Sequence, residues 1–431
     1  MRKVRPLLEL RAPVADSDTV TIEYGGQAVQ ALAGEPLSSA LLRAGILATT
    51  RSPKYRRPRG PYCLRGECGS CQVRIDGEPN LRACTTPVRD GLKVEAQNQW
   101  GPAGLDPTPL VDTVFRGGID HHHLVVRPRI ANAAMQRVAR TMTGFGVLPD
   151  TPSTAQAKSQ EHRPQVLVIG SGSAGRAAAC ALERSGIEVL TIDRCDRRSL
   201  EACPGALPSG LLSRVGVFAA YPHEGLWAAA AAPLSGALAL HIIRPQHVLL
   251  AVGAREPMLP IANNDLPGVV SARGLVHLLR RGEVRTAAPV IVIGDGEHAE
   301  ALADELGAQR FACGEVRRIT GGDAVDGVEL HDRTVPCRLV ALAPTPAPAH
   351  ELAAQADGRL RFDGHGFAVV TDDEGRVETT EGRAANAPWS LWACGDVRGW
   401  RGPAASAADG EATATAILAE LQRAPRTGDG R

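Results

Sequence analysis

The sequence predicts an α/β protein of several domains, and three observations lead to this prediction. Short apolar runs, which are typical of buried strands, alternate with alanine-rich helical patterns along much of the chain. Two of the strand-to-helix junctions, at 170–175 and 294–299, carry glycine-rich turns. Four cysteines between positions 63 and 84 indicate a separate small domain near the start of the chain. The length of 431 residues corresponds to about three typical domains.

The composition argues against several classes of partner. The formal net charge is +1, from 48 basic and 47 acidic residues, so nothing favours nucleic acid or an anionic membrane. The most apolar run, 225–243, contains Pro233 and Gly236, which favours short β segments over a membrane span. The opening stretch, 1–13, has no apolar signal core. We therefore expect a soluble, cytoplasmic protein.

The first hundred residues predict a β-grasp domain. Residues 19–24 alternate β-branched and polar positions and meet two glycines, which is typical of a hairpin. Apolar positions recur at helical spacing over 37–46, and Gly45 is placed to end that helix. Two further short strands follow, within 71–80 and 92–96. Hairpin, helix, cysteine loop and strands together indicate the ferredoxin type, because a cluster-free ubiquitin-like domain has no need of the cysteines.

The four cysteines predict a [2Fe-2S] cluster. Their spacing, Cys63-x4-Cys68-x2-Cys71 with Cys84 after twelve more residues, begins as in plant-type ferredoxins. The two glycines of this loop let its backbone curl close to the inorganic sulfides, where amide N–H groups stabilise negative charge. Two alternatives stay open. A zinc site usually pairs two short CxxC knuckles, and a disulfide framework is typical of secreted domains.

The stretch 165–193 predicts a dinucleotide-binding fold. It consists of a buried strand, a G-x-G-x-x-G turn, an alanine-rich helix and a second strand that ends in an acid. The glycines permit a tight turn, close approach of a pyrophosphate and close packing of the helix, whose N-terminus supplies N–H groups for phosphate. The terminal acid is placed to accept hydrogen bonds from a ribose hydroxyl. The residues predicted to bind an ADP-containing ligand are Gly170, Gly172, Ser173, Ala174, Gly175 and Asp193.

A shorter version of this pattern lies at 289–308. Gly294 and Gly296 take the places of the first two glycines, and Ala299 takes that of the third. The strand that follows does not end in an obvious ribose-binding acid. The sequence therefore predicts the repeat of the fold and leaves open whether a nicotinamide cofactor occupies it.

Two further turns complete the pattern. One strand ends at Gly253, and a late strand delivers Gly395 and Asp396 ahead of a long helix. With two dinucleotide-binding units, these turns are typical of flavoproteins of the pyridine nucleotide-disulfide oxidoreductase type, in which the Gly-Asp pair lies beside the flavin's ribityl and pyrophosphate groups. We predict FAD in the first unit, with NAD as the competitor. Asp396 is either a flavin ligand or an ordinary helix N-cap.

These patterns divide the chain into five segments. The polar, proline-containing stretch 149–164 is typical of a linker, and each glycine turn opens a new unit. The predicted segments are a 2Fe-2S ferredoxin-like domain (1–100), a connecting segment and linker (101–163), the first part of the FAD domain (164–288), an NAD(P)-binding-like subdomain (289–385), and a return to the FAD domain with a C-terminal helix (386–431).

Four stretches resemble a known family. Residues 51–60 (RSPKYRRPRG), 82–91 (RACTTPVRDG), 97–100 (QNQW) and 252–269 (VGAREPMLPIANNDLPGV) resemble the α subunit of heterotetrameric sarcosine oxidase. They also resemble the related subunits of hydrogen cyanide synthase and of hydroxyproline or proline dehydrogenases. The resemblance spans about 19–421 and does not include the folate-binding domain into which the sarcosine oxidase α subunit continues. It implies a partner subunit that carries the substrate-oxidising FAD, and a first nucleotide site that holds FAD, NAD or ATP.

The expected function is electron relay between a flavin and a cluster that takes one electron at a time. We expect a subunit of an amine or amino-acid dehydrogenase or oxidase complex, of the sarcosine, glycine, proline or hydroxyproline type, with an unidentified electron acceptor. The alternatives are a self-sufficient NAD(P)H-dependent flavin and iron-sulfur reductase, and a non-catalytic scaffold subunit. The sequence shows no Ser/His/Asp or paired-carboxylate pattern, so it predicts no catalytic residue.

Overall fold

The computed structural model describes residues 4–52, 57–98, 128–142, 146, 158–231, 239–380 and 387–423. The chain forms two compact units. One comprises residues 1–153 and 258–344, and the other comprises residues 154–257 and 345–431. Among the residues described, none of the helices combines the length and the apolar character that crossing a membrane requires.

The bounds of the helices and strands in the described residues are as follows. The helices are α1 (Leu37–Arg43), α2 (Arg129–Met142), α3 (Ser173–Arg184), α4 (Arg197–Glu201), α5 (Ala272–Arg280), α6 (Gly296–Leu306), α7 (Glu351–Gln355) and α8 (Pro403–Arg423). The strands are β1 (Leu8–Leu10), β2 (Thr19–Tyr24), β3 (Gln27–Leu32), β4 (Thr50–Arg51), β5 (Pro58–Arg59), β6 (Gln72–Ile75), β7 (Glu78–Arg82), β8 (Lys93–Ala96), β9 (Lys158–His162), β10 (Val166–Ile169), β11 (Val189–Asp193), β12 (Leu211–Ser213), β13 (Val215–Tyr221), β14 (Leu226–Ala231), β15 (Ala239–Ile243), β16 (His247–Leu250), β17 (Ala254–Arg255), β18 (Val269–Ser271), β19 (Val284–Thr286), β20 (Val290–Ile293), β21 (Gln309–Phe311), β22 (Val316–Gly321), β23 (Val325–Leu330), β24 (Thr334–Pro336), β25 (Leu339–Leu342), β26 (Ala347–Pro348), β27 (Leu360–Phe362), β28 (Phe367–Val369) and β29 (Ser390–Ala393).

The first unit begins with a five-stranded mixed sheet in the order β3-β2-β8-β6-β7. Strands β2 and β3 form the predicted hairpin, and β8 pairs with β2 in parallel. The core of this sheet includes Ile22, Leu41 and Val73, all fully buried. Helix α1 supplies Leu41 to this core, which is the hairpin-plus-helix arrangement that the sequence predicts.

The first unit also contains a parallel sheet in the order β18-β25-β20-β21. Its two central strands, β25 and β20, are fully buried apolar runs, as expected where helices cover a parallel sheet. Strand β1 pairs antiparallel with β19, so the start of the chain is joined to this second part of the unit. Arg57 and Arg59 both form ion pairs with Asp265 and add a second connection.

The second unit contains a parallel sheet in the order β12-β11-β10-β16-β29. Helices α3 and α8 pack together, and Gly410 allows the approach because a Cβ there would lie 2.2 Å from the Ala174 carbonyl oxygen. A second sheet has the order β13-β14-β15-β9. Trp227 on β14 and Trp392 on β29 are the largest fully buried side chains among the described residues of this unit.

Two details differ from the sequence-based segments. Residues 158–162, expected within the linker, form strand β9, because β15 offers them a parallel partner. The boundaries of the two compact units also differ from those of the predicted segments. Residues 258–288, predicted in the FAD domain, lie in the first unit with the second glycine-rich turn, because β18 pairs with β25. Residues 345–385, predicted in the NAD(P)-binding-like subdomain, lie in the second unit. Most of the predicted connecting segment, including 101–127, lies outside the described residues.

Candidate functional site: a four-cysteine loop and two glycine-rich turns

The structure brings all four predicted cysteine ligands together in the first unit. Cys63, Cys68 and Cys71 lie on the loop before β6, and Cys84 follows β7, the antiparallel partner of β6. Cys63, Cys71 and Cys84 are buried, whereas Cys68 is exposed. The Sγ atoms of Cys71 and Cys84 are hydrogen-bonded at 3.4 Å. The group therefore has three sheltered thiols and one at the surface.

Backbone amides of the loop point at these sulfurs. Gly66 N donates to Cys84 Sγ at 3.2 Å, and Glu67 N donates to Cys63 Sγ at 3.1 Å. The Cys68 amide also approaches Cys63 Sγ, at 3.4 Å. Gly66 has a φ of +79°, and a Cβ there would lie 2.6 Å from the Thr85 methyl carbon. Glycine is therefore required here both by conformation and by space.

Hydrogen bonds between the thiols divide them into two acidic and two less acidic groups. The pKa of Cys63 lies well below the usual thiol value, chiefly because Cys68 and then Cys84 are hydrogen-bonded to it. Cys84 lowers the pKa of Cys71 in the same way. The same bonds raise the pKa of Cys68 and of Cys84. Because a metal binds the thiolate, metal binding would release the protons that this group of thiols holds.

The donor set fits an iron-sulfur cluster. Two thiolates on one tetrahedral metal with bonds of about 2.3 Å lie roughly 3.8 Å apart, so Cys71 and Cys84 need little separation to share a metal. The amides at the sulfurs suit the excess negative charge of such a cluster. In the part of the chain that the structure describes, no three or more His, Cys, Asp or Glu side chains surround a metal position; the thiols contact one another instead.

The cysteine loop rests on the first turn of α5. Ser271 N donates to Tyr62 O at 2.8 Å. A Cβ on Gly274 would lie 2.2 Å from Cys63 O, so the loop backbone touches the helix backbone at this glycine. Leu64, with a φ of +53°, is buried in the apolar core that includes Leu275. The loop is therefore supported by residues more than two hundred positions away.

The first glycine-rich turn, in the second unit, has the predicted shape. Gly170 has a φ of +105°, and a Cβ there would lie 2.4 Å from Ala251 O. A Cβ on Gly175 would lie 1.9 Å from Gly170 O, so the helix packs directly on the turn. Gly172 is the N-cap of α3, whose first residues are Ser173 and Ala174. The first turn therefore provides the close approach that a pyrophosphate needs.

Asp193 lies at the end of β11, as predicted, and its carboxylate binds the backbone. One oxygen accepts from Ser171 N and the other from Cys195 N, both at 2.7 Å. The Ser171 hydroxyl, inside the turn, is buried without a hydrogen-bond partner. A ribose ligand would have to share the Asp193 carboxylate with these amides.

The late Gly-Asp pair also lies in the second unit. Gly395 has a φ of +74°, and its N–H donates to Asp409 at 2.7 Å. Asp396 Oδ1 accepts from Gly402 N at 3.2 Å and from the Ser406 hydroxyl at 2.8 Å. This oxygen therefore caps the start of α8, which agrees with the prediction of Asp396 as a helix N-cap. The role of Asp396 as a flavin ligand stays a prediction. Gly253 has a φ of +71° and nothing within 4 Å of a Cβ position.

The second glycine-rich turn is built in the same way but has different side chains around it. A Cβ on Gly294 would lie 2.2 Å from Ala343 O, and Gly296 has a φ of +76°. Asp295, between them, accepts from Cys313 N at 3.0 Å. Arg310 on β21 donates to Gly294 O at 3.0 Å. In a dinucleotide fold, the end of this strand carries the ribose-binding acid. Here the end of β21 is instead hydrogen-bonded to the turn through Arg310 and the Cys313 amide.

Comparisons with known proteins agree with this geometry. Residues 17–99 match the family described as a 2Fe-2S iron-sulfur cluster binding domain. Sarcosine oxidase subunit alpha of Rhizobium meliloti is 26% identical over 482 residues, covering 93% of this chain and 46% of that protein. Hydrogen cyanide synthase subunit HcnA of Pseudomonas aeruginosa is 38% identical over 86 residues, covering 20% of this chain and 81% of HcnA. The match to HcnA, of which this chain covers four-fifths, shows that the chain belongs to the HcnA family through its 2Fe-2S domain.

Membership of this family confirms the resemblance and the 2Fe-2S ferredoxin-type domain predicted from the sequence. L-proline dehydrogenase from P. horikoshii has a TM-score of 0.69 and 20% identity, covering 97% of this chain and 76% of that chain. This likeness confirms the fold, including the Rossmann-type units. The chain spans less than half of the sarcosine oxidase α subunit that it matches.

Sequence reasoning missed three residues that support these sites. Arg82 donates to Gly66 O at 2.7 Å, and Gly274 admits the cysteine loop to the first turn of α5. Arg176 on α3 is buried and donates to backbone carbonyls of 203–205 and, at 3.4 Å, to Ser171 O. Their partners, except Ser171, are distant in sequence, so local patterns carry no signal for these contacts.

Proposed function

We propose that this chain is an electron-relay subunit of an amine or amino-acid dehydrogenase or oxidase complex. The observation that carries the proposal is the convergence of four thiols and two loop amides at one place in a domain of the 2Fe-2S family. When bound, a flavin supplies two-electron chemistry and the cluster supplies one-electron chemistry. One chain with both sites would connect a two-electron donor to a one-electron acceptor.

Cys63, Cys68, Cys71 and Cys84 are the proposed cluster ligands. Three buried sulfurs exclude water from most of the site, and the exposed Cys68 leaves one edge near the surface. The amides of Gly66 and Glu67 would offset negative charge on the sulfurs. In this arrangement the loop sets the cluster's potential, and the Cys68 edge is where electrons enter or leave.

The first glycine-rich turn is the proposed FAD site. Gly170 and Gly175 provide the close backbone approach, and α3, a twelve-residue helix, directs its N-terminal N–H groups at the pyrophosphate. Asp193 would orient the ribose end, and Gly253, Gly395 and Asp396 would face the ribityl side. NAD in place of FAD, or in the second turn at Gly294 and Gly296, is the alternative occupancy. We keep 1–100, 164–288 with 386–431, and 289–385, joined by 101–163, as the proposed segments that bind the cluster, FAD and NAD(P). They differ from the two compact units, in which 258–288 lie with the second glycine-rich turn and 345–385 with the first.

A partner subunit completes the proposal. The relatives are named as subunits of sarcosine oxidase and of hydrogen cyanide synthase. We propose that a separate FAD-containing subunit oxidises the substrate and passes electrons to this chain. The substrate class is a sarcosine-, glycine-, proline- or hydroxyproline-like amine.

The experiment is anaerobic reduction of the chain co-purified with its natural partners. Each of the four amines is added in turn, and flavin absorbance and the paramagnetic signal of the cluster are followed with time. The proposal expects one amine to reduce the flavin first and the cluster second. A complex whose cluster stays oxidised while its flavin is fully reduced by an amine would contradict electron relay.

A second candidate function is an NAD(P)H-dependent reductase that sends electrons outward through its own cluster. The observation that favours it is the close approach preserved at Gly294, where a Cβ would lie 2.2 Å from Ala343 O. Anaerobic mixing of the chain alone with NADH or NADPH separates the two functions. Rapid reduction of flavin and cluster supports the reductase, and no reduction supports the relay subunit.

A further inference from the structure

Arg82, which is not a cluster ligand, contacts the cysteine loop from the end of β7. Its guanidinium donates to Gly66 O at 2.7 Å. The Thr86 hydroxyl donates to Arg82 O at 2.9 Å and the Thr85 hydroxyl at 3.3 Å, which fixes the backbone that carries this side chain. The backbone of Arg82 is therefore fixed at the point from which its side chain reaches the cysteine loop.

The carbonyl that Arg82 binds belongs to the peptide unit that points at Cys63. Gly66 O and Glu67 N are the two ends of one planar peptide group, and in a trans peptide they point in opposite directions. Glu67 N donates to Cys63 Sγ at 3.1 Å. Arg82 thus holds the oxygen end of the group whose N–H end meets the sulfur.

Hydrogen bonds arranged in a chain polarise one another. A charged donor on the carbonyl draws electron density from the peptide group and makes its N–H a stronger donor to the sulfur. Arg82 also fixes the peptide plane, so the N–H cannot turn away from Cys63. Both effects matter more when the sulfur carries more negative charge.

We propose that Arg82 is a positioning residue that raises the reduction potential of the cluster through the Gly66–Glu67 peptide group. The proposal rests on the proposed function, because it needs a cluster on Cys63. Reduction adds one electron and one negative charge to the cluster, with dithionite as the reductant. A stronger N–H donor stabilises the reduced form more than the oxidised form, so losing Arg82 lowers the potential.

The test is a redox titration of the full chain, loaded with its cluster, followed by paramagnetic resonance. The variants are Arg82→Gln, which is too short to reach the carbonyl, and Arg82→Lys, which keeps one positive charge on a shorter side chain. Arg89→Gln is the matched control, because Arg89 is an exposed arginine of the same domain that pairs with Asp76 instead of the loop. Iron per chain is measured for each protein.

The expected result is that Arg82→Gln shifts the equilibrium for one-electron reduction roughly tenfold toward the oxidised cluster, which is 59 mV. Arg82→Lys should fall between Arg82→Gln and the wild type, and Arg89→Gln should match the wild type. The resonance positions of Arg82→Gln should also move, because the bond to Cys63 changes. If Arg82→Gln binds no cluster, Arg82→Lys decides: a lowered potential supports the proposal, and an unchanged one overturns it.

Two further results would overturn it. One is a wild-type potential in a cluster-containing Arg82→Gln protein. The other is an equal shift in Arg89→Gln, which would mean that any nearby charge has the same effect. A wild-type chain without a cluster would instead contradict the proposed function itself, so the two failures are distinguishable.

Discussion

The contact between Gly274 and the cysteine loop predicts that Gly274→Ala damages the cluster domain. A Cβ at this position would lie 2.2 Å from Cys63 O and 2.9 Å from Cys63 C. Ordinary contact distances are about 3.5 Å, so the loop must retreat by roughly 1 Å. Both atoms are backbone, so no side-chain rotation relieves the clash.

The magnitude follows from two opposing terms. Overpacking of this kind costs about 1–3 kcal/mol, and alanine recovers about 0.5–1 kcal/mol over glycine inside a helix. The net loss in the free energy of unfolding is about 1–2 kcal/mol. For a compact unit of the size of the first one, this lowers the thermal unfolding midpoint by roughly 2–8 °C. Helix α5 itself should be unharmed, since alanine favours it.

The assay is thermal loss of the cluster's visible circular dichroism, with iron per chain measured before heating. Gly322→Ala is the matched control, because its Cβ would meet nothing within 4 Å and its φ is not positive. We expect a lower midpoint and less iron for Gly274→Ala, and an unchanged or slightly higher midpoint for Gly322→Ala. A wild-type midpoint and full iron content in Gly274→Ala would refute the reasoning.

Three further predictions concern the cysteines, the first glycine-rich turn and pH. Cys71→Ser should lose the cluster's visible absorbance, whereas Cys337→Ser, at a buried thiol elsewhere in the first unit, should keep it. Asp193→Asn should weaken FAD binding about tenfold, because a charged hydrogen-bond acceptor is lost, and fluorescence titration measures this affinity. The control Asp373→Asn, at an exposed site, should leave the FAD affinity unchanged. Burial lowers the pKa of His247 from 6.5 to about 4, so acidification through this range protonates the unfolded chain first. Thermal midpoints should therefore fall as the pH drops from 6.5 to 4, with a loss of at most about 3 kcal/mol in the free energy of unfolding.

Each of these has an outcome that would count against it. Iron retained by Cys71→Ser would remove that residue from the ligand set, and equal FAD affinities would limit Asp193 to binding the backbone. For pH, the control is His247→Gln, whose midpoint should depend less on pH over the same range. Trp392 Nε1 donates to His247 Nδ1 at 3.4 Å, which requires the neutral ring, so identical pH profiles would contradict the assignment.

The elements that could be predicted from the sequence are those whose causes are local. Cys63, Cys68 and Cys71 lie within a single loop, so their spacing alone predicts that they are close together. Gly170 and Gly175 predict a turn between a strand and a helix. Both appear in the structure where the sequence places them. Local chemistry therefore predicts which residues could bind a cofactor.

The supporting contacts could not be predicted because they join distant segments. Gly274 meets Cys63 across more than two hundred residues, and strand β9 exists because β15 lies beside it. Asp193 was expected to face a ribose, yet its oxygens accept from Ser171 N and Cys195 N. Such competition between ligand and backbone for one carboxylate is decided by three-dimensional packing.

The central claim is that the four cysteines hold a two-iron cluster, and elemental analysis with paramagnetic resonance tests it most directly. The full chain is isolated without oxygen, assayed for iron and acid-labile sulfide, and recorded after dithionite reduction. We predict two irons and two sulfides per chain with the signal of a reduced [2Fe-2S] centre. A chain that carries zinc, or that has no iron and no signal after dithionite, would contradict the account.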